Sequence, residues 1–251
     1  MMRETLVFGP IVSRRLGSSL GINVLPEKGK LCNFDCIYCE CGWNADGRGD
    51  RTLPTARDLE RALGDKLAEC VAEGLRIDSV TFSGDGEPTL NPDFPEMVEV
   101  ALSLRDRYCP EAAVTVLSNA TLLWREDIFE ALKKVDNPIL KIDAPTPGLA
   151  DVINRPSGSY DMERILSAME RLKGGFVLQT MFLRSDRFDS SDPETLSLWK
   201  DIVRRVKPRK VMVYTIARET PMKGLVKFTA RQMRDLVADL VEEGFEIQIN
   251  E

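Results

Sequence analysis

Three cysteines, Cys32, Cys36 and Cys39, stand at a C-x3-C-x2-C spacing in this chain. One short loop can turn all three thiols toward one small metal centre. Cysteine thiolates are the usual ligands of iron–sulfur clusters. A [4Fe–4S] cube held by three thiolates keeps one iron without a protein ligand, and an open metal position can bind a reactant. Cys41 follows closely, so Cys32, Cys36, Cys39 and Cys41 could instead close a zinc or iron–sulfur site. The chain would then be an electron carrier or a closed metal-binding protein. The spacing argues against zinc, because zinc-type cysteine pairs are normally separated by a longer loop.

A loop of this kind needs a scaffold, and the rest of the chain reads as one. The 251 residues are 43% hydrophobic and 29% charged, the composition and size of a single α/β-barrel domain. Residues 1–17 lead in, and residues 18–251 carry a regular alternation. Strands are expected at Ser19–Leu25, Asp78–Phe82, Ala113–Ser118, Pro138–Ile142, Phe176–Leu183, Lys210–Ile216 and Phe245–Ile249. Helices are expected at Pro54–Ala72, Pro92–Tyr108, Trp124–Lys134, Asp161–Lys173, Pro193–Val206 and Thr229–Glu243. In the first of these, Leu59, Ala62, Leu63, Leu67 and Val71 form the apolar stripe and Thr55 is the expected N-cap. Alternation at this spacing implies parallel strands joined by right-handed crossovers. The expected fold is therefore α/β, a partial, open TIM-like barrel of the form (β/α)6 plus a final strand. Sites in such folds lie at the C-terminal face of the strands, where the cysteine loop hangs.

Further polar residues fall at the same strand ends. The second strand runs into Ser83-Gly84-Asp85-Gly86-Glu87, where missing side chains let backbone approach a ligand and strand-end carbonyls can accept from an ammonium group; an ordinary glycine turn is the alternative. The third ends in Ser118 and Asn119, which suit a ribose, a carboxylate or a local turn. Lys141 and Asp143 share one face of the fourth strand; two opposite charges inside a barrel are costly unless paired or used. Gln179 and Met181 share a face of the fifth strand, and Tyr214 lies late in the sixth. Arg14, Arg15 and Arg155 are candidate anion contacts or solvated loop residues. Cys70 and Cys109 end helices and read as buried spectators.

The cysteine spacing, with Tyr38 just before the last cysteine, resembles the radical S-adenosylmethionine (SAM) superfamily. That resemblance implies that SAM chelates the open iron. It also implies that Tyr38, Ser83, Gly84, Asp85, Gly86, Glu87, Asn119, Lys141, Asp143 and Gln179 supply its protein contacts. The stretches Phe8-Gly9-Pro10, Ser13 to Gly17, Cys32 to Cys39, Phe82 to Leu90, Lys141 to Ala144, Ile153 to Pro156 and Gln179-Thr180 look like a family of short radical SAM oxidoreductases. This family is related to the catalytic part of archaeal wybutosine-forming tRNA enzymes.

The implied activity is reductive cleavage of SAM to a 5′-deoxyadenosyl radical that takes a hydrogen atom from a substrate. An electron donor such as flavodoxin or ferredoxin is the implied partner. The substrate is left open among a protein loop, as for a glycyl-radical enzyme activase, an RNA base, and a small molecule or peptide. A net charge of −6 and the lack of an evident second cysteine cluster weigh against tRNA. No apolar run is long enough to span a bilayer, and six cysteines with three clustered read as metal-binding thiols in a reducing cytoplasm.

Overall fold

The computed structural model describes residues 5–13, 16–47 and 51–251. Arg14 and Arg15 lie outside them. The chain divides into two compact units, one comprising Met1–Cys32, Asn44–Ser118 and Arg125–Pro138, the other Asn33–Trp43, Asn119–Trp124 and Ile139–Glu251.

The first unit opens with strands β1 (Val7–Ser13) and β2 (Gly17–Ile22), which pair antiparallel with Val7 opposite Ile22 and Ser13 opposite Gly17. This hairpin adds a strand to the N-terminal segment, where the alternation of the sequence marks none. Helix α1 (Ala56–Ala72) follows. Its N-cap is Thr55, whose hydroxyl accepts from the Asp58 amide while the Asp58 carboxylate accepts from the Thr55 N–H. That reciprocal capping box satisfies two amides the helix leaves unpaired. Leu59, Leu63 and Leu67 are fully buried as expected, but the last turn buries Cys70 and leaves Val71 55% exposed.

Strand β3 (Ser79–Phe82), helix α2 (Phe94–Tyr108), strand β4 (Ala113–Ser118) and helix α3 (Glu126–Lys134) complete this unit, apart from the first two residues of β5 (Asn137–Lys141). β2, β3 and β4 run parallel, with Ser19 opposite Ser79 and Ser79 opposite Ala113. Ser19, Ser79, Thr81 and Thr115 are all buried, and their hydroxyls satisfy one another at 2.9 Å. Buried hydroxyls without such partners would each be costly.

The second unit takes β5 from Ile139 onward, then α4 (Pro147–Ile153), α5 (Met162–Arg171), β6 (Val177–Met181), β7 (Leu183–Arg184), α6 (Pro193–Val206), β8 (Lys210–Tyr214), β9 (Val226–Lys227), α7 (Ala230–Leu236), α8 (Ala238–Glu242) and β10 (Ile247–Asn250). β5, β6, β8 and β10 are parallel neighbours in that order. Lys141 stands opposite Gln179, Gln179 opposite Met212, and Met212 opposite Gln248, so these four side chains share a face. β7 and β9 form a separate antiparallel ribbon. The expected last helix is divided at Val237, and α4 occupies a stretch whose sequence carries no helical stripe. Trp199 on α6 donates to Thr180 Oγ1 at 3.0 Å and meets Phe182 edge-on at 5.2 Å, fixing that helix to β6. No helix of the described residues is long and apolar enough to cross a membrane.

Candidate active site

In the first unit, the approach to Cys32 is stitched to the turn after β3. Leu31 N–H donates to Asp85 O at 3.0 Å, and Glu87 N–H donates to Leu31 O at 3.0 Å. Gly86 makes this possible: its φ is +145°, and a Cβ there would lie 1.8 Å from Leu31 O. A Cβ on Gly84 would lie 2.0 Å from Asn23 Oδ1, which accepts from the Asp85 amide at 3.2 Å. The space the glycines leave is therefore filled by the chain's own backbone and by Asn23. Glu87 is buried, and its Oε1 accepts from Thr89 N–H at 3.1 Å, Thr89 Oγ1 at 2.6 Å and Ser118 Oγ at 2.8 Å. Ser83 is half-buried, and its hydroxyl donates to Thr81 O at 3.4 Å. Asn44 donates to Cys32 O at 3.1 Å.

In the second unit, residues 33–43 are held mainly through backbone. Asp35 N–H donates to Asn154 O at 2.8 Å, Ile37 N–H to Ile153 O at 3.0 Å, and Met222 N–H to Ile37 O at 3.2 Å. Cys39 N–H donates to Cys36 O at 3.1 Å, closing the turn between the last two cysteines of the motif. Asn33 accepts from Asn119 Nδ2 at 2.7 Å and donates to Thr121 Oγ1 at 2.6 Å. Asn119 Oδ1 in turn accepts from Thr121 N–H at 3.0 Å. Asn119 thus makes the local turn its residue type allows and also braces the cysteine loop.

A buried polar network surrounds Cys36 and Tyr38. Tyr38 OH donates to Asp143 Oδ2 and accepts from Lys141 Nζ at 3.2 Å. Asn154 Nδ2 donates to Asp143 Oδ2 at 2.7 Å and lies 3.4 Å from Cys36 Sγ. Asp143 Oδ1 accepts from Met181 N–H at 2.9 Å. Lys141 and Asp143, expected as a pair on one face, therefore both act on the tyrosine of the cysteine motif. Burial pushes the Cys36 thiol up from its ordinary range, against the lowering effect of Lys141 and the Asn154 donor. Tyr38 is raised by burial and by Asp143. Burial pulls Lys141 down, but the charges of Tyr214, Asp143, Cys36 and Cys39 outweigh it and hold its ammonium form above the ordinary lysine value.

Gln179 differs from these satisfied groups. It is 5% exposed, and its Nε2 has no hydrogen-bond partner among the described residues. A buried amide left unpaired costs about 1–3 kcal/mol, which an acceptor on a ligand would recover. Arg155 has a left-handed backbone, φ +49°, and its guanidinium lies 4.9 Å from the ring centroid of Trp43. Cys70 is buried and Cys109 half-buried, and burial raises both thiols. None of the six cysteines is in a disulfide.

Among the described residues no three Cys, Asp or Glu side chains converge as they would around one metal ion. A four-iron cube spreads its thiolate ligands farther apart than a single ion does. The donor chemistry suits such a cube: three thiols in one loop, with the Asn154 amide N–H turned toward the buried Cys36. Hydrogen bonds to sulfur and local charge are how proteins hold and tune iron–sulfur clusters.

Residues 27–182, more than half of the chain, match the Radical SAM superfamily. The chain belongs to the radical SAM superfamily. A UPF0026 protein of Synechocystis is 32% identical over 222 residues, 86% of this chain and 77% of that protein. A UPF0026 protein of Methanocaldococcus jannaschii is 31% identical over 216 residues, 84% of this chain and 63% of the relative. Among solved structures, SuiB of Streptococcus suis bound to its precursor peptide SuiA has a TM-score of 0.65 at 18% identity, over 89% of this chain and 47% of that one. SuiB bound to SAM also has a TM-score of 0.65. The chain thus spans less than two thirds of the Methanocaldococcus relative and about half of SuiB. The fold is that of these radical SAM proteins, a mixed α/β partial barrel, as the strand–helix alternation leads one to expect.

The sequence assigns no role to Asn154, Asn33 or Asn23, although the first two fall inside stretches that carry the family resemblance. Their cues are faint. Asn33 sits inside the cysteine spacing, and Asn154 precedes Arg155-Pro156, where a helix must stop.

Proposed function

We propose that this chain binds one [4Fe–4S] cluster through Cys32, Cys36 and Cys39 and uses it on SAM. Superfamily membership supports a SAM-dependent enzyme. The observation that carries the reading to these residues is the environment of Cys36, a buried thiol 3.4 Å from Asn154 Nδ2 in the network that Asp143 and Lys141 make with Tyr38. When bound, the cluster would supply one electron to the sulfonium of SAM, giving methionine and a 5′-deoxyadenosyl radical that takes a hydrogen atom from the substrate.

The chain's own residues have separable roles in this proposal. Tyr38 is clamped by Asp143 and Lys141, and this fixes the turn that presents Cys36 and Cys39. Lys141 offsets the negative charge of the thiolates. Gln179 offers its unpaired amide to an acceptor oxygen of SAM. The backbone of residues 83–87 is the proposed contact for the amino group, with Gly84 and Gly86 required for its course. Asn119 acts through Asn33 on the loop. Burial of this polar set keeps water and stray hydrogen donors from a reactive radical. A flavodoxin- or ferredoxin-like protein is the proposed electron donor.

Anaerobic reconstitution with iron and sulfide tests the proposal, with 5′-deoxyadenosine measured after addition of dithionite and SAM. About four irons per chain and 5′-deoxyadenosine formation, both lost in Cys36→Ala, are expected. A reconstituted cube that yields no 5′-deoxyadenosine would refute the enzymatic reading.

A further inference from the structure

The side chain of Asn154 is not part of the cysteine motif, yet it is the group placed against its buried sulfur. An asparagine amide has two N–H donors. One is committed to Asp143 Oδ2 at 2.7 Å. That contact fixes the orientation of the amide, because the opposite flip would set the Asn154 oxygen against a carboxylate. The second N–H has two neighbours, Cys36 Sγ and Tyr38 OH, both at 3.4 Å. Tyr38 OH already donates to Asp143 and accepts from Lys141, whereas a thiolate is a strong acceptor. Asn154 is 3% exposed, so water does not compete.

We infer that Asn154 is a positioning residue that hydrogen-bonds the Cys36 thiolate and thereby raises the reduction potential of the cluster. The inference rests on the proposed ligation by Cys32, Cys36 and Cys39. Reduction adds negative charge to the cluster and its sulfurs, so a donor to sulfur stabilises the reduced state more than the oxidised one. Asp143 locks the donor in place, which keeps the hydrogen bond from reorganising when the electron arrives. The backbone of Asn154 acts separately, its carbonyl accepting from Asp35 N–H at 2.8 Å. Side-chain variants leave that contact intact.

The test is a redox titration of anaerobically reconstituted wild type, Asn154→Ala and Asn154→Asp, followed by EPR after iron and sulfide have been counted. Asn154→Ala should disfavour reduction about tenfold, a fall of about 59 mV for one electron. Asn154→Asp, which replaces a donor by a carboxylate, should fall further. Equal midpoints for wild type and Asn154→Ala at equal cluster content would overturn the inference. A wild-type chain that assembles no cube would instead sink the ligation it rests on. A readout without substitution uses wild type grown on side-chain-15N asparagine: pulsed EPR of the reduced cluster should show a 15N coupling, and its absence would also overturn the inference.

Discussion

Replacing Gly86 by alanine should damage the protein at the base of the cysteine loop, and the structure sets the size of the effect. The added Cβ would lie 1.8 Å from Leu31 O, which is backbone and cannot swing aside as a side chain could. The φ of +145° is itself one that L-residues rarely adopt, at a cost of about 1–3 kcal/mol. Relief of the overlap must part Leu31 from the turn and lose the hydrogen bonds Leu31 N–H to Asp85 O and Glu87 N–H to Leu31 O, each about 0.5–1.5 kcal/mol. Together these give a destabilisation of about 2–6 kcal/mol, a large part of the stability of an ordinary domain. The assay is urea unfolding of the cluster-free protein, with Gly148→Ala as control. Gly148 lies in α4, would have nothing within 4 Å of an added Cβ and has no positive φ. Alanine there should be neutral or stabilising by up to about 1 kcal/mol. A Gly86→Ala midpoint indistinguishable from that of Gly148→Ala would refute the reasoning that this glycine exists for Leu31.

Other substitutions separate the roles of neighbouring residues. Gln179→Met removes an unpaired buried donor, so melting temperature should hold or rise while SAM binding by equilibrium dialysis weakens at least about tenfold; a lower melting temperature with unchanged binding would contradict this. Tyr38→Phe deprives buried Asp143 of a donor and should cost about 1–3 kcal/mol in urea unfolding; no loss would mean that the tyrosine does not clamp the loop. Asp78 is held below the usual carboxylate range by the Ser18 amide and by Arg76. A depressed carboxyl contributes stability above its unfolded value that is lost as pH falls through its folded one. Asp78→Asn should therefore flatten the acid limb of a stability-against-pH curve, and an unchanged limb would contradict the shift.

The cysteine spacing and the strand–helix alternation were legible because each is periodic and local. The strands β2, β3, β4, β5, β6, β8 and β10 start within two residues of the expected positions. The β1 hairpin was hidden because Gly9 and Pro10 interrupt any alternation, and the pairing shifts register between Phe8 and Ile11. Val71 is exposed, against expectation, because the last turn of α1 points Cys70 inward in its place, a thiol the sequence already marks as buried. In the site, residue types announced Lys141 and Asp143, but their shared use on Tyr38 depends on partners about a hundred residues apart in sequence. Asn154 falls in the stretch Ile153 to Pro156 that resembles the short radical SAM family, but nothing in the sequence gives its side chain a role. The three-dimensional arrangement is what turns its amide toward Cys36.

The measurement that bears most directly on the central claim is the EPR spectrum of the reduced, reconstituted protein recorded with and without SAM, in wild type and in Cys41→Ala. An open iron requires that SAM change the g-values of the cluster, and that Cys41→Ala behave as wild type. A spectrum indifferent to SAM, or a cube that needs Cys41 to assemble, would mean that the fourth corner is closed and that the proposed reaction cannot begin.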